Sequence, residues 1–116
     1  MAGSLPIPVV TTPGLEGYRV SRYLGIVAGE TILGTGFGSD FIASIKDFTG
    51  DRVNEWERWI ERARSTSLLE LAQRAQSLGA NAVIGVGFDY EVMGQNGSIV
   101  MVTATGTAVL VEPTHS

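Results

Sequence analysis

At 116 residues, 44% hydrophobic and 17% charged with a net charge of −4, the chain is one small domain with little polar surface to spare. Its arginines Arg58, Arg62 and Arg64 alternate with Glu57 and Glu61, and its one lysine is Lys46, so no basic stripe forms and nucleic acid is excluded as a partner. The absence of cysteine excludes disulfides and thiolate metal sites, no apolar run reaches the roughly 18 residues of a membrane span, and a cytoplasmic setting is expected.

The opening residues 1–8 lack the basic start and apolar core of a signal peptide and are expected to be a disordered or expression-derived N-terminus. Val9 to Thr12 reads as a short strand or arm, closed by Pro13-Gly14. Tyr18 to Glu30 reads as a strand with Val20, Leu24, Ile26 and Ala28 on one face. Gly25 and Gly29 then mark a bulge or a close backbone neighbour on the other. A glycine-rich loop runs from Thr31 to Ser39. It matches neither the dinucleotide fingerprint nor the Walker pattern, and is read as a connection needing positive φ angles. Asp40 is placed to cap a short helix through Phe41, Ile42, Ile45 and Phe48.

Arg52 to Leu78 carries Val53, Trp56, Ile60, Ala63, Leu71, Ala75 and Leu78, with Ser67, at steps of three and four. That period predicts one long amphipathic helix, ended at Gly79 by a left-handed residue. Glu70 and Arg74 form a favourably oriented pair on its outer side. Trp59 lies off the apolar stripe, where it could anchor an interface.

Two strand-like runs follow, Ala82 to Met93 and Ser98 to Glu112, divided by Asn96-Gly97. Asn-Gly is a strong signal for a two-residue turn. Taken literally it opposes Ile84 to Val109, Val86 to Thr107, Phe88 to Thr105, Tyr90 to Thr103 and Val92 to Met101. The other face then holds Gly85 with Ala108, Gly87 with Gly106, Asp89 with Ala104 and Glu91 with Val102. The expected fold is α+β: an antiparallel sheet of three to four strands in ββαββ order, with the long helix and a short preceding helix on one face. The domain spans 9–112, and 113–116 form a tail.

The last strand is apolar on both sides, and a strand of that kind expects cover on both. The helices can cover one face, so the other is expected to be covered by another copy of the chain.

Chemistry-bearing residues are few. Asp89 and Glu91 project from one face two residues apart and, with Glu30, could hold a hard cation or a polar ligand. The plainer reading is a solvated rim. His115, the only histidine, sits in the terminal tail, and no nucleophile and base pair is present, so catalytic residues are expected to be none. The Thr103, Thr105, Thr107 ladder is ordinary strand chemistry that could also line a pore in an oligomer.

Several segments resemble the YbjQ-like family, whose name proposes heavy-metal binding and whose function is uncharacterised. They are Thr11 to Gly17, Gly25 to Glu30, Leu78 to Gly85, Asp89 to Glu91 and Gly94 to Ser98, together with Met101-Val102 and Gly106 to Val109. The resemblance implies an α+β subunit, usually assembled as a ring-shaped homopentamer, in a bacterial, cytoplasmic protein. Relatives often have Gly-Gly-Arg-Ser where this chain has Thr49 to Arg52, and some carry a cysteine where it has Leu24. Soft metals prefer thiolate and imidazole; outside its tail this chain offers only the thioethers of Met93 and Met101. The expectation is therefore a homo-oligomeric binding or scaffold protein, with metal binding as the alternative, no assigned cofactor, and itself as partner.

Overall fold

A computed structural model of the chain describes residues 5–33, 50–94 and 99–114, and their side chains apart from those of 50–56. Strand β1 (Tyr18–Leu33) is followed by helix α1 (Gly50–Ser77), strand β2 (Ala82–Met93) and strand β3 (Ile99–Pro113). The sheet is antiparallel and three-stranded, in the order β1-β3-β2. The sequence of elements is thus β-α-β-β rather than ββαββ. The difference lies at the N-terminus, where Val9 makes only an isolated parallel bridge to Val83. The expected short helix from Asp40 and the glycine-rich loop from Gly34 to Ser39 lie outside the described residues.

α1 ends as its sequence requires. Gly79 takes a φ of 91°. Ala80 N donates to Ala75 O at 3.0 Å and Gly79 N to Gln76 O at 2.9 Å, the paired bonds of a Schellman motif. Asn81 then joins helix to sheet. Its side-chain amide donates to Val111 O at 3.0 Å and accepts from Val111 N at 2.8 Å, acting as one more rung of the β2–β3 ladder.

The buried stripe of α1 is made mostly of small groups, Ala63, Ser67, Ala72 and Ala75, with Leu71 as its one large side chain. Ile60 and Trp59 are half-buried, and Leu78, expected inside, is exposed because the chain turns at Gly79. Small residues let the helix backbone rest on the sheet. A Cβ at Gly29 would lie 1.9 Å from Ser67 O and 2.7 Å from Leu71 N. Gly29 therefore meets the close backbone neighbour expected of it, and Gly25 sits beside a register shift with a φ of 126°, the expected bulge. Ser67, fully buried, lies 3.1 Å from Val102 O and 2.9 Å from Thr31 Oγ1. With one proton it donates to the carbonyl and accepts from the threonine hydroxyl.

The hairpin register differs from the one an Asn96-Gly97 two-residue turn dictates. Val92 opposes Val100, Tyr90 opposes Val102 and Phe88 opposes Ala104, and Met93↔Ile99 is the last pair. Five residues, 94–98, separate the strands, of which Gly94 has a φ of 83°. The shift of one residue exchanges the faces. Burial decides it: Val100, Val102, Ala104, Gly106 and Ala108 of β3 all lie under the helix, so the apolar side of β2 must join them. Farther along, Gly85 (φ 64°) and a shift between Ile84 and Gly87 insert a bulge. Val83 and Val86 then both reach the core, meeting above Gly106, whose Cβ would lie 2.7 and 2.8 Å from them.

In β1 the shifts at Val20/Arg22 and Tyr23/Gly25 turn Leu24 to the helix side, while Val20, Ile26 and Ala28 keep the shared face expected of them. Val27 and Gly29 are buried under the helix, and Ile26, on the opposite side with Ala28 as expected, is 83% exposed.

The N-terminal arm bonds to the outer edge of β2. Val83 N donates to Pro8 O, Val10 N to Val83 O, Gly85 N to Thr12 O and Val86 N to Val10 O, at 2.9–3.0 Å. Ile7 and Val9 pack on the main core, while Val10 and Leu15 cover Ala82, Ile84 and Val109 on the side away from the helix. The expectation that nothing in the chain reaches that side is corrected for this half of it.

The contact at Gly29 gives a direct test. Gly29→Ala should lower stability by about 3 kcal/mol, the upper part of the overpacking range, because backbone rather than a side-chain tip must move. Gly87→Ala, with nothing within 4 Å of its Cβ, should stay within about 0.5 kcal/mol. Urea denaturation of the two variants against the parent chain measures the difference.

Candidate functional site

The register sets residues in rows across the face away from α1. Ile26, Thr107 and Ile84 share one row; Ala28, Thr105 and Gly87 the next; then Glu30, Thr103 and Asp89; then Ile32, Met101 and Glu91. Directly opposed residues project to one side of a sheet. The three expected ligand residues, Glu30, Asp89 and Glu91, are therefore brought to the same face, and all three are exposed. The threonines between the outer strands are half-buried.

Strand spacing limits what these carboxylates can do together. Glu30 and Asp89 stand on the two outer strands with Thr103 between them, roughly 10 Å apart, and Asp89 and Glu91 are roughly 7 Å apart along β2. One cation needs its ligand oxygens within about 2.6 Å of itself. Among the described residues no group of three His, Cys, Asp or Glu side chains could hold a metal ion. The row offers instead a carboxylate, a hydroxyl and a carboxylate in line, an array for hydrogen bonding a polar partner laid across the strands.

The far side carries a different set of charges. An open depression of 520 Å³ on the flank of α1 is lined by Glu57, Arg58, Glu61 and Arg64. Two acids and two bases in alternation give no net field for an anion or a cation. Arg64 is turned to β2, where Nη1 donates to Tyr90 Oη at 3.3 Å, and Tyr90 stacks on Phe88 with ring centroids 6.5 Å apart. This contact went unforeseen because it depends on the one-residue change of register, which brings Tyr90 to the helix side.

Glu70 and Arg74 form the expected ion pair at 3.6 Å. Their second set of contacts was not expected: Glu70 Oε1 accepts from Glu30 N at 2.7 Å and Arg74 Nη1 donates to Ala28 O at 2.8 Å. Nothing in the sequence pattern could reveal that, since it requires β1 to be an edge strand. His115 and Asp40 lie outside the described residues.

These features define a class of small α+β domains in which one long helix crosses one side of a three-stranded antiparallel sheet. The model of the YbjQ-like family, described as "Putative heavy-metal-binding", matches residues 7–112, and the chain belongs to that family. It is 51% identical over 105 residues to a UPF0145 protein of Carboxydothermus hydrogenoformans, covering 90% of this chain and 96% of that one. A crystal structure of a protein with unknown function from Pediococcus pentosaceus, of the DUF74 family, covers 91% of this chain and 98% of its own, with a TM-score of 0.58. At 22% identity it shares the fold alone.

The donor set does not fit the heavy metal in the family's description. Such ions are held by thiolate and imidazole, while this chain has no cysteine and its described residues contain no histidine. The exposed carboxylates are too far apart to replace them. Titration calorimetry with zinc, copper or nickel should accordingly show no stoichiometric binding, and a one-to-one isotherm abolished by Glu30→Gln or Asp89→Asn would contradict this reading.

Proposed function

We propose that the chain is the subunit of a homo-oligomer, a non-enzymatic binding or scaffold module whose bare sheet face is covered by a neighbouring copy. The observation that carries this reading is the half of that face beyond the N-terminal arm. Ile26 is 83% and Ile32 63% exposed there, flanking a ladder of half-buried threonines, and Tyr23 on the same strand is 69% exposed. Covering one such side chain is worth about 1.5–3 kcal/mol, so a contact taking in all three supplies much of the driving force for a stable interface.

A ring of five is the assembly that family resemblance implies. Two different surfaces of one chain meeting head to tail form a ring when the rotation closes. The acidic rim of Glu30, Asp89 and Glu91 would then border the contact, and a small polar ligand between copies is its proposed use. No helix of the described residues is long and apolar enough to cross a membrane, and the proposed setting is the cytoplasm.

Multi-angle light scattering should give one defined mass, several times that of a single chain, at micromolar concentration. Ile26→Lys should reduce it to monomer while the circular dichroism spectrum stays native. A parent chain that is monomeric, or a variant that keeps the full mass, would overturn the proposal.

A further inference from the structure

Among the described residues β1 is bonded to β3 on one side only and is therefore an edge of the sheet. From Gly25 to Leu33 it pairs without a register break, and neither proline nor lysine lies in that stretch. An unbulged edge flanked by exposed Ile26 and Ile32 is a template on which another copy's strand could pair. Two side chains of α1 occupy its centre. Glu70 accepts the outward Glu30 N–H at 2.7 Å, Arg74 donates to the outward Ala28 carbonyl at 2.8 Å, and the two are held together at 3.6 Å. An acceptor beside a donor is what a neighbouring strand would present. The spacing agrees too: one helical step of four residues advances about 6 Å, and two strand residues advance about 6.8 Å.

We propose that the Glu70–Arg74 pair is an edge guard, standing where a fourth strand would lie and keeping copies of the chain from joining edge to edge through β1. The device comes from the helix rather than from the strand, which leaves β1 free to keep its apolar side chains. It also differs in kind from the ion pair of Arg19 and Glu112, which links β1 to β3 and guards nothing. The guard is independent of the face contact proposed above and would act in a monomer as well.

Glu70→Ala combined with Arg74→Ala removes it without endangering the helix, since alanine favours a helix at exposed positions. Hydrogen exchange of the Glu30 amide should accelerate about tenfold or more, on the scale of one charge-assisted hydrogen bond. The double variant should also form concentration-dependent, thioflavin-binding assemblies of open-ended size, which Gln73→Ala should not. Unchanged Glu30 exchange would overturn the bond; faster exchange with unchanged particle size would overturn the guard.

Discussion

The structure depends on one close approach, the Ser67 carbonyl of α1 seated on Gly29 of β1. No other residue type leaves room for it, and the small residues Ala63, Ser67, Ala72 and Ala75 let the helix come down so far. Ser67 pins the contact by donating to Val102 O, so the helix is held by a directional bond as well as by burial. From that seat the rest follows geometrically. The helix lies over β1 and β3, its outer turn reaches the β1 edge through Glu70 and Arg74, and the other side of the sheet receives no helix from the described residues.

Much of this was legible in the sequence where the signal is local. The helix, its Gly79 terminus, the two hairpin strands and the special positions of Gly25 and Gly29 all follow from residues a few positions apart. Facing was not legible, because it depends on parity. A strand's side chains alternate, so one extra residue anywhere reverses everything beyond it. Three such insertions occur, at Val20/Arg22, at Tyr23/Gly25 and at Ile84/Gly87, besides the five residues that part β2 from β3. Leu24 left the face of Val20, Ile26 and Ala28 for this reason, and the threonine ladder exchanged its partners.

The carboxylates show both outcomes. Asp89 and Glu91 share a face by simple alternation, whatever the register. That Glu30 joins them needs the strand order, with β3 between β1 and β2. The same order keeps them apart, since the central strand interposes Thr103. A pattern of acids in a sequence is thus weak evidence for a cation site until the topology states how many strands lie between them.

Edges and faces make different demands on a sheet. An edge that accepts a strand presents a new edge, so pairing of that kind has no natural end, whereas a head-to-tail contact through a face ends where its rotation closes a ring. This chain treats the two differently. The N-terminal arm takes up the first part of the β2 edge, and Glu70 with Arg74 take up the middle of the β1 edge, both by contacts within one chain. The face around Ile26 and Ile32 receives no comparable treatment from the described residues. Occupying these stretches of edge from within while leaving a face bare would direct the proposed self-association to the face rather than to the edges. It also explains why a long helix-borne ion pair, worth little as a surface salt bridge by itself, stands at this place on the helix.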